Sequence, residues 1–303
     1  MSAGLRWQGL AFCTLALAAV AATLFGGQLA APNELVAAAV LLALLGMPHG
    51  ALDVVFARQL FSLKSLKGWA VFSLLYVGLA AAVVGFWWWT PTIFLCAFLV
   101  GSALHFGGDL AGFASTPQTP EAKISAWVRM LYGGAVIVLP ALTHGPELQR
   151  LIGLLTGPES AAVVVPVLEQ LAWPWLAASL IACIWLARQT RLAAFEMLAL
   201  SVLSVTATPL VAFTVYFCAM HSPRHILRTV GSLPAAQMQG ALRMALWPTL
   251  AVLAAFAMGF ALSSGRPLQP SVMQLVFVGL AALTLPHMVL LERNRQAETP
   301  RSP

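Results

Sequence analysis

Charged residues are scarce in this chain. Of its 303 residues, 9% are charged and 60% are hydrophobic, and the mean hydropathy is +0.87. A soluble domain carries about 25% charged residues, so this chain has too little polar surface to face water on all sides. The scarcity of charge excludes a soluble globular protein and predicts an integral membrane protein.

Paired cysteines are also lacking. The four cysteines (Cys13, Cys96, Cys183 and Cys218) all lie inside apolar segments, and no CxxC pair occurs. Such cysteines pack as small hydrophobic residues, which excludes a disulfide framework and a zinc–thiolate site. The net charge of +6 does not indicate a nucleic-acid partner, because excess Lys and Arg in a membrane protein mark the cytoplasmic loops.

Long apolar runs make up most of the sequence. A helix that crosses the bilayer core needs roughly 20 apolar residues, and the runs predict an all-α, polytopic bundle of about eight to ten spans. The ten candidate spans cover residues 8–27, 33–57, 69–89, 92–113, 126–143, 168–187, 192–208, 210–229, 244–262 and 271–291. Residues 192–229 divide least clearly, because they are long for one span and short for two.

Basic residues predict the orientation of these spans. With the amino terminus in the cytoplasm, all of the 16 Lys and Arg residues except Arg150 and Arg266 fall on the cytoplasmic side. This bias is what the positive-inside rule requires. We therefore expect a multi-pass protein of the cell inner membrane or plasma membrane with both termini in the cytoplasm. We expect one membrane domain over residues 1–303, with 1–32 as a first span and 293–303 as a cytoplasmic tail.

Five of the six histidines share a depth in the predicted spans. Each lies in the cytoplasmic half of the second, fourth, eighth or tenth span. These residues are His49, His105, His221, His225 and His287. Ionisable residues inside the hydrocarbon are costly and usually face the interior of a bundle. A shared polar site is therefore predicted, and His144, at the outer end of the fifth span, lies outside it.

The spacing "HSPRH" indicates metal binding. It places His221 and His225 at i and i+4, where residues on a helix share a face with Cβ atoms about 5–6 Å apart. Two imidazoles so placed can hold one ion, as in the HExxH helix of zinc proteases. Imidazole suits iron, copper, zinc and nickel, and the spacing does not decide among them.

Two further stretches each place a carboxylate four residues after a histidine. "PHGALD" pairs His49 with Asp53, and "LHFGGD" pairs His105 with Asp109. Metal-bound histidines commonly donate their second N–H to a carboxylate. We therefore expect each aspartate to orient the histidine that precedes it.

Four motifs in order resemble one known family. "GMPHGALD", "SALHFGGD", "HSPRH" and "LPHM", between residues 46 and 292, resemble the Brp/Blh family of bacterial and archaeal β-carotene 15,15'-dioxygenases. The resemblance implies an Fe(2+)- and O2-dependent enzyme that splits β-carotene, or a related carotenoid, at its central double bond into two molecules of retinal. It also implies a functional link to a retinal-binding rhodopsin.

The resemblance assigns roles to individual residues. It implies that His49, His105, His221 and His225 bind the iron. His287, with Asp53 and Asp109, is expected to surround these ligands. Aromatic residues near the histidines, namely Phe106, Tyr216 and Phe217, are expected to line a tunnel for the polyene.

Two other functions are compatible with the histidines. One is a proton-coupled or metal-ion transporter that uses the His/Asp cluster, which predicts polar groups continuing to the outer face. The stretches "APNELVAAAVLLALL" and "PTIFLCAFLV" contain few such groups. The other is a haem protein with two axial histidines, which predicts a Soret band.

Overall fold

The computed structural model describes residues 2–27, 30–110 and 124–298. Within these ranges the chain forms helices and short connections, without a strand. A spanning segment must satisfy its own backbone hydrogen bonds in hydrocarbon, and a helix does so within one segment. The predicted all-α class is therefore confirmed.

The amino-terminal half contains six helices. They are α1 (Ala3–Phe25), α2 (Ala31–Leu41), α3 (Asp53–Phe61), α4 (Leu66–Trp89), α5 (Pro91–Leu110) and α6 (Ala126–Val138). A π-helical turn at Leu42–Gly46 and a 3-10 segment at Met47–Leu52 join α2 to α3, so Ala31–Phe61 forms one irregular span.

The carboxyl-terminal half contains seven helices. They are α7 (Gly145–Thr156), α8 (Pro158–Ala187), α9 (Arg191–Thr206), α10 (Pro209–Tyr216), α11 (Ser222–Gly231), α12 (Ala235–Leu262) and α13 (Leu268–Glu298). A second π-helical turn, Phe217–His221, joins α10 to α11.

The described residues contain seven helical segments that are long and apolar enough to cross a membrane, or eight if α6 and α7, bent by 113°, count as one span. The prediction of eight to ten spans therefore holds at its lower limit. Among the ten predicted segments, α9 has only 16 residues, fewer than the roughly 20 that a bilayer core needs. The segment from α10 to α11 contains two histidines and two arginines and is not among the seven.

Some predictions reach beyond the described residues. The last three residues of the fourth predicted span, 111–113, and most of the tail, 299–303, lie outside them. The cytoplasmic placement of both termini, the single domain and the boundaries of its parts stay predictions.

Helix packing places the interior of the bundle around α5 and the irregular segments. α5 packs on α6, α1 on α9 and α10, and α13 on α4 and α2. α4 and α12 lie on the outside, where only 6% of their most apolar windows is buried. Their exposed apolar side chains are suited to lipid contact.

Candidate metal centre

Two π-helical turns position histidines at the centre of the bundle. His221 ends the turn Phe217–His221, and His49 follows the turn Leu42–Gly46. A proline comes within two residues of each turn, Pro223 and Pro48, and proline cannot donate a backbone N–H to the helix. Such local departures from α-helix are frequent at functional sites.

The five grouped histidines form a closed ring of side chains, here called the histidine ring. Neighbouring imidazoles lie edge to face with ring centres 4.9–5.6 Å apart. The order around the ring is His49, His221, His105, His287 and His225. All five residues that the sequence grouped are therefore in contact. The sixth histidine, at position 144, bonds Thr143 at the amino end of α7 instead.

Three of these rings are held at Nδ1. His221 Nδ1 lies 3.0 Å from Asp109 Oδ2, and His287 Nδ1 lies 2.6 Å from Asp53 Oδ1. His49 Nδ1 lies 2.5 Å from the carbonyl oxygen of Gly46. An ionised carboxylate or a carbonyl oxygen can only accept, so each Nδ1 carries a proton, and in a neutral imidazole of this tautomer Nε2 has the lone pair. Metal-binding histidines are commonly oriented in this way.

The carboxylates are paired differently from the sequence prediction. Asp53 bonds His287 rather than His49, and Asp109 bonds His221 rather than His105, so the predicted pairing is wrong. Between positions 49 and 53 the chain is a 3-10 helix. With three residues per turn, i and i+4 lie about a third of a turn apart. In α5, Asp109 reaches instead across to the π turn that carries His221.

Each aspartate also accepts a tyrosine hydroxyl. Tyr76 donates to Asp53 Oδ2 at 2.8 Å, and Tyr216 donates to Asp109 Oδ2 at 2.7 Å. Two chains of hydrogen bonds result, Tyr76–Asp53–His287 and Tyr216–Asp109–His221. Sequence reasoning missed Tyr76, because α4 contains no histidine motif and a single tyrosine in an apolar span indicates only packing.

A buried ion pair supports the second series of hydrogen bonds, Tyr216–Asp109–His221. The Arg224 guanidinium lies 2.7 and 3.0 Å from the two carboxylate oxygens of Glu196, and its Nε donates to Gln8 Oε1 at 2.7 Å. Arg224 Nη1 also donates to the backbone oxygen of Asp109 at 3.3 Å. Gln8 Nε2 in turn donates to the carbonyl of Ala219, just before His221. Helices α1 and α9, to which the sequence assigned no role, therefore brace the histidine ring.

An apolar cavity reaches the ring from one side. It has a volume of about 370 Å³, lies between the α2–α3 segment, α4, α12 and α13, and is bordered by His49 and His287. A second cavity of about 620 Å³ lies between α4 and α13, and Phe72 and Tyr76 line both cavities. These two aromatic side chains are therefore walls of both spaces.

A smaller, more polar pocket reaches the ring elsewhere. Its volume is about 260 Å³, and His105, Arg129 and Glu292 are among its lining residues. The histidine ring is therefore accessible to an apolar molecule by way of His49 and His287, and to polar species by way of His105.

The three aromatic residues expected to line a tunnel are not among those lining the apolar cavity. Phe106, Tyr216 and Phe217 instead surround His221, with ring centres at 4.9, 6.4 and 5.1 Å from its own. They fix the orientation of this imidazole, and a contact between them and a substrate stays a prediction.

The donor chemistry of the ring fits a metal ion. A metal–nitrogen bond of about 2.1 Å places each imidazole centre about 3.3 Å from a shared ion, so centres of ligands at right or tetrahedral angles lie about 4.7 to 5.4 Å apart. The measured separations are 4.9–5.6 Å. Within the described residues no three of these donors are already placed to hold one ion, so binding would require the side chains to adjust.

Comparison with known proteins identifies related sequences. Residues 40–293 match the family described as β-carotene 15,15'-dioxygenase. The chain is 31% identical over 262 residues to a β-carotene 15,15'-dioxygenase of uncultured marine bacterium 66A03, covering 83% of this chain and 90% of the relative. It is 28% identical over 275 residues to a probable β-carotene 15,15'-dioxygenase Blh of Halobacterium salinarum, covering 81% of this chain and 80% of the relative. No solved structure matches it significantly.

Proposed function

The chain belongs to the β-carotene 15,15'-dioxygenase family, and we propose on this premise that it cleaves β-carotene at the central 15,15' double bond to give two molecules of all-trans-retinal. The resemblance of its four histidine motifs to this family, noted from the sequence, is confirmed by the match over residues 40–293. The chain is thus a carotenoid-cleaving membrane enzyme.

The observation that carries the proposal is the position of the histidine ring at the end of an apolar cavity inside a helical bundle. A C40 hydrocarbon dissolves in the bilayer, and the cavity lies beside α4 and α12, the two least buried spans. Ligand sites are mostly apolar with a few placed polar groups. Here the placed groups are His49, His287, Asp53 and Tyr76, so a polyene in this cavity would meet the ring directly.

We propose Fe(2+) as the cofactor, with His49, His105, His221 and His225 as ligands and Asp53, Asp109 and His287 around them. Bound iron(II) supplies the activation of O2, which is the second substrate. The protein provides imidazole nitrogens, and Asp109 accepts a hydrogen bond from His221 Nδ1, which would leave Nε2 as the ligating nitrogen. The apolar walls exclude water and align the polyene, because in such enzymes the protein positions what the cofactor converts.

The alternatives fit the structure less well. A haem between two axial histidines needs their ring centres about 6.5 Å apart with a flat macrocycle between them, whereas neighbouring rings here are in contact at 4.9–5.6 Å. A transporter needs polar access from both sides of the site. The approach through His49 and His287 is apolar, which favours a hydrocarbon substrate over an ion.

We further propose that the enzyme resides in the cell inner membrane or plasma membrane and passes retinal to a retinal-binding rhodopsin. Its seven or eight helical segments suited to crossing a bilayer, among the residues described, support a multi-pass placement. Retinal, like β-carotene, partitions into lipid, so transfer within one membrane would avoid water.

The test is retinal formation in β-carotene-accumulating cells that express this chain. Chromatography of their extracts should show retinal for the parent and none for His49→Ala at equal expression. The matched control is His144→Ala, because this histidine lies outside the ring and should not affect the product. Intact β-carotene with folded, iron-loaded parent protein would refute the proposed reaction.

A further inference from the structure

His287 was expected to surround the iron ligands together with Asp53 and Asp109, but its own hydrogen bonding resembles that of a ligand. Its Nδ1 donates to Asp53 Oδ1 at 2.6 Å, while its Nε2 is buried and has no hydrogen-bond partner. A buried polar nitrogen without a partner is destabilising. Such an atom in a native protein needs an explanation, and an ion that completes it is one of the recognised explanations.

The imidazole of His287 contacts three other members of the histidine ring. The imidazole centre of His287 lies 4.9 Å from that of His225, 5.4 Å from that of His49 and 5.5 Å from that of His105. These separations fall in the same range as those between the four proposed ligands, among which His105 and His221 lie 4.9 Å apart. His287 is therefore as close to its neighbours as ligands of one ion must be.

Its support matches that of His221. The hydrogen-bonded chain Tyr76–Asp53–His287 has the same order as Tyr216–Asp109–His221, with a tyrosine hydroxyl and an imidazole N–H both donating to one carboxylate. A carboxylate on the far nitrogen fixes the tautomer and raises the basicity of the ligating nitrogen. The two histidines lie on opposite sides of His105, which contacts both.

We infer that His287 is a metal ligand itself, bound through Nε2 and positioned by Asp53 and Tyr76. This inference rests on the proposed iron centre and deepens it. It adds a fifth imidazole nitrogen to the set that would hold the ion. Since His287 also lines the apolar cavity, the proposed ligand set borders the space proposed for the polyene.

Iron(II) affinity tests the inference without reference to activity. Purified apoprotein in detergent is titrated with Fe(2+) under anaerobic conditions against a competing chelator. His287→Gln can still donate to Asp53 but lacks the lone-pair nitrogen, and we expect its affinity to fall more than about 100-fold, beyond the range of about 10–100-fold for residues that only support a ligand. Asp53→Asn should fall within that range.

Rescue separates coordination from a loss of folding. The smaller variant His287→Gly should regain iron affinity in millimolar imidazole, because the free molecule fills the vacated position. His144→Gly is the control and should bind like the parent with or without imidazole. If the parent binds iron and His287→Gln loses about 100-fold or less in affinity, or if imidazole does not restore His287→Gly, the inference is wrong while the iron centre stands. If the parent binds no iron, both fail.

Discussion

Replacing Gly107 by alanine should displace His105 and slow retinal formation. Gly107 lies two residues beyond His105 in α5, where this helix packs closely on α6. An added Cβ would lie 2.5 Å from the carbonyl oxygen of Arg129, whereas ordinary contact begins at 3.4 Å. The atom it meets belongs to the backbone of α6, which cannot rotate away, so the two helices must separate.

The size of the effect follows from that overlap. Relieving it requires a movement of about 0.9 Å, and overpacking of this kind destabilises a protein by about 1–3 kcal/mol. Because a misplacement of about 1 Å near a reacting group can cost 100-fold in rate, turnover of Gly107→Ala should fall by roughly that factor. Small residues at such helix contacts allow close approach in membranes.

The assay is the rate of retinal formation by purified, iron-loaded enzyme, measured together with its thermal unfolding in detergent. Gly101→Ala is the matched control, because Gly101 lies in the same helix and a Cβ there meets no atom within 4 Å. Alanine in a helix is favoured over glycine by about 1 kcal/mol, so this control should be at least as stable as the parent. Equal rates and equal unfolding temperatures for the two variants would refute the proposed helix contact.

Four further predictions follow from the ion pair, the tyrosine, the cavity and the metal. Arg224→Met should leave the buried Glu196 charge unpaired and destabilise the protein by about 3–5 kcal/mol, and replacing both residues by methionine should restore part of this loss in thermal unfolding. Tyr76→Phe removes a hydrogen bond to a charged group, worth about 1.5–3 kcal/mol, and should weaken iron binding about tenfold in anaerobic titration. Thr284→Trp should fill the apolar cavity and lower kcat/KM for β-carotene roughly tenfold or more without changing iron affinity, whereas Leu285→Trp on the outer face should not. A ferrous chelator should abolish retinal formation, and Fe(2+) should restore it.

One result would contradict each of these four predictions. The ion-pair argument fails if the double variant is as unstable as the single one. The role of Tyr76 fails if its phenylalanine variant binds iron like the parent. Unchanged kinetics for Thr284→Trp would place the substrate outside the cavity. Retinal formation at the parent rate in thoroughly chelated enzyme would exclude the iron centre.

The histidine ring could be predicted because its members stand out from their surroundings. An imidazole in an apolar span needs a polar partner, and five imidazoles at one depth indicate a shared site. The contacts of His49 with His221 and His225 agree with this prediction. The family could be predicted for a similar reason, because its motifs contain these same residues.

The partners of the histidines could not be predicted from spacing. The pairing of Asp53 with His49 assumed a regular α-helix, and the 3-10 segment at Met47–Leu52 changes the angle between them. The contact of Asp53 with His287 joins residues 234 positions apart. No local pattern contains a contact over that separation.

The support from α1 was missed for a related reason. Gln8 and Glu196 are isolated polar residues on mostly apolar helices, and each also fits an interfacial position. Their structural role comes from contacts with Arg224, which lies 216 positions from Gln8 and 28 positions from Glu196 in the sequence. The span count holds only at the lower limit of eight because apolar runs such as α9 can be helical and buried without reaching across a bilayer.

The closed order of the histidine ring has a consequence for biosynthesis. Its members span positions 49 to 287, and its bracing extends the range to Gln8. A chain is made from its amino terminus, and its early parts fold first. His49 and His105 are therefore in the membrane without His287 until α13 is inserted beside them. Iron supplied before that moment would meet an incomplete set of nitrogens, so the complete set of five becomes available only after the last span is inserted.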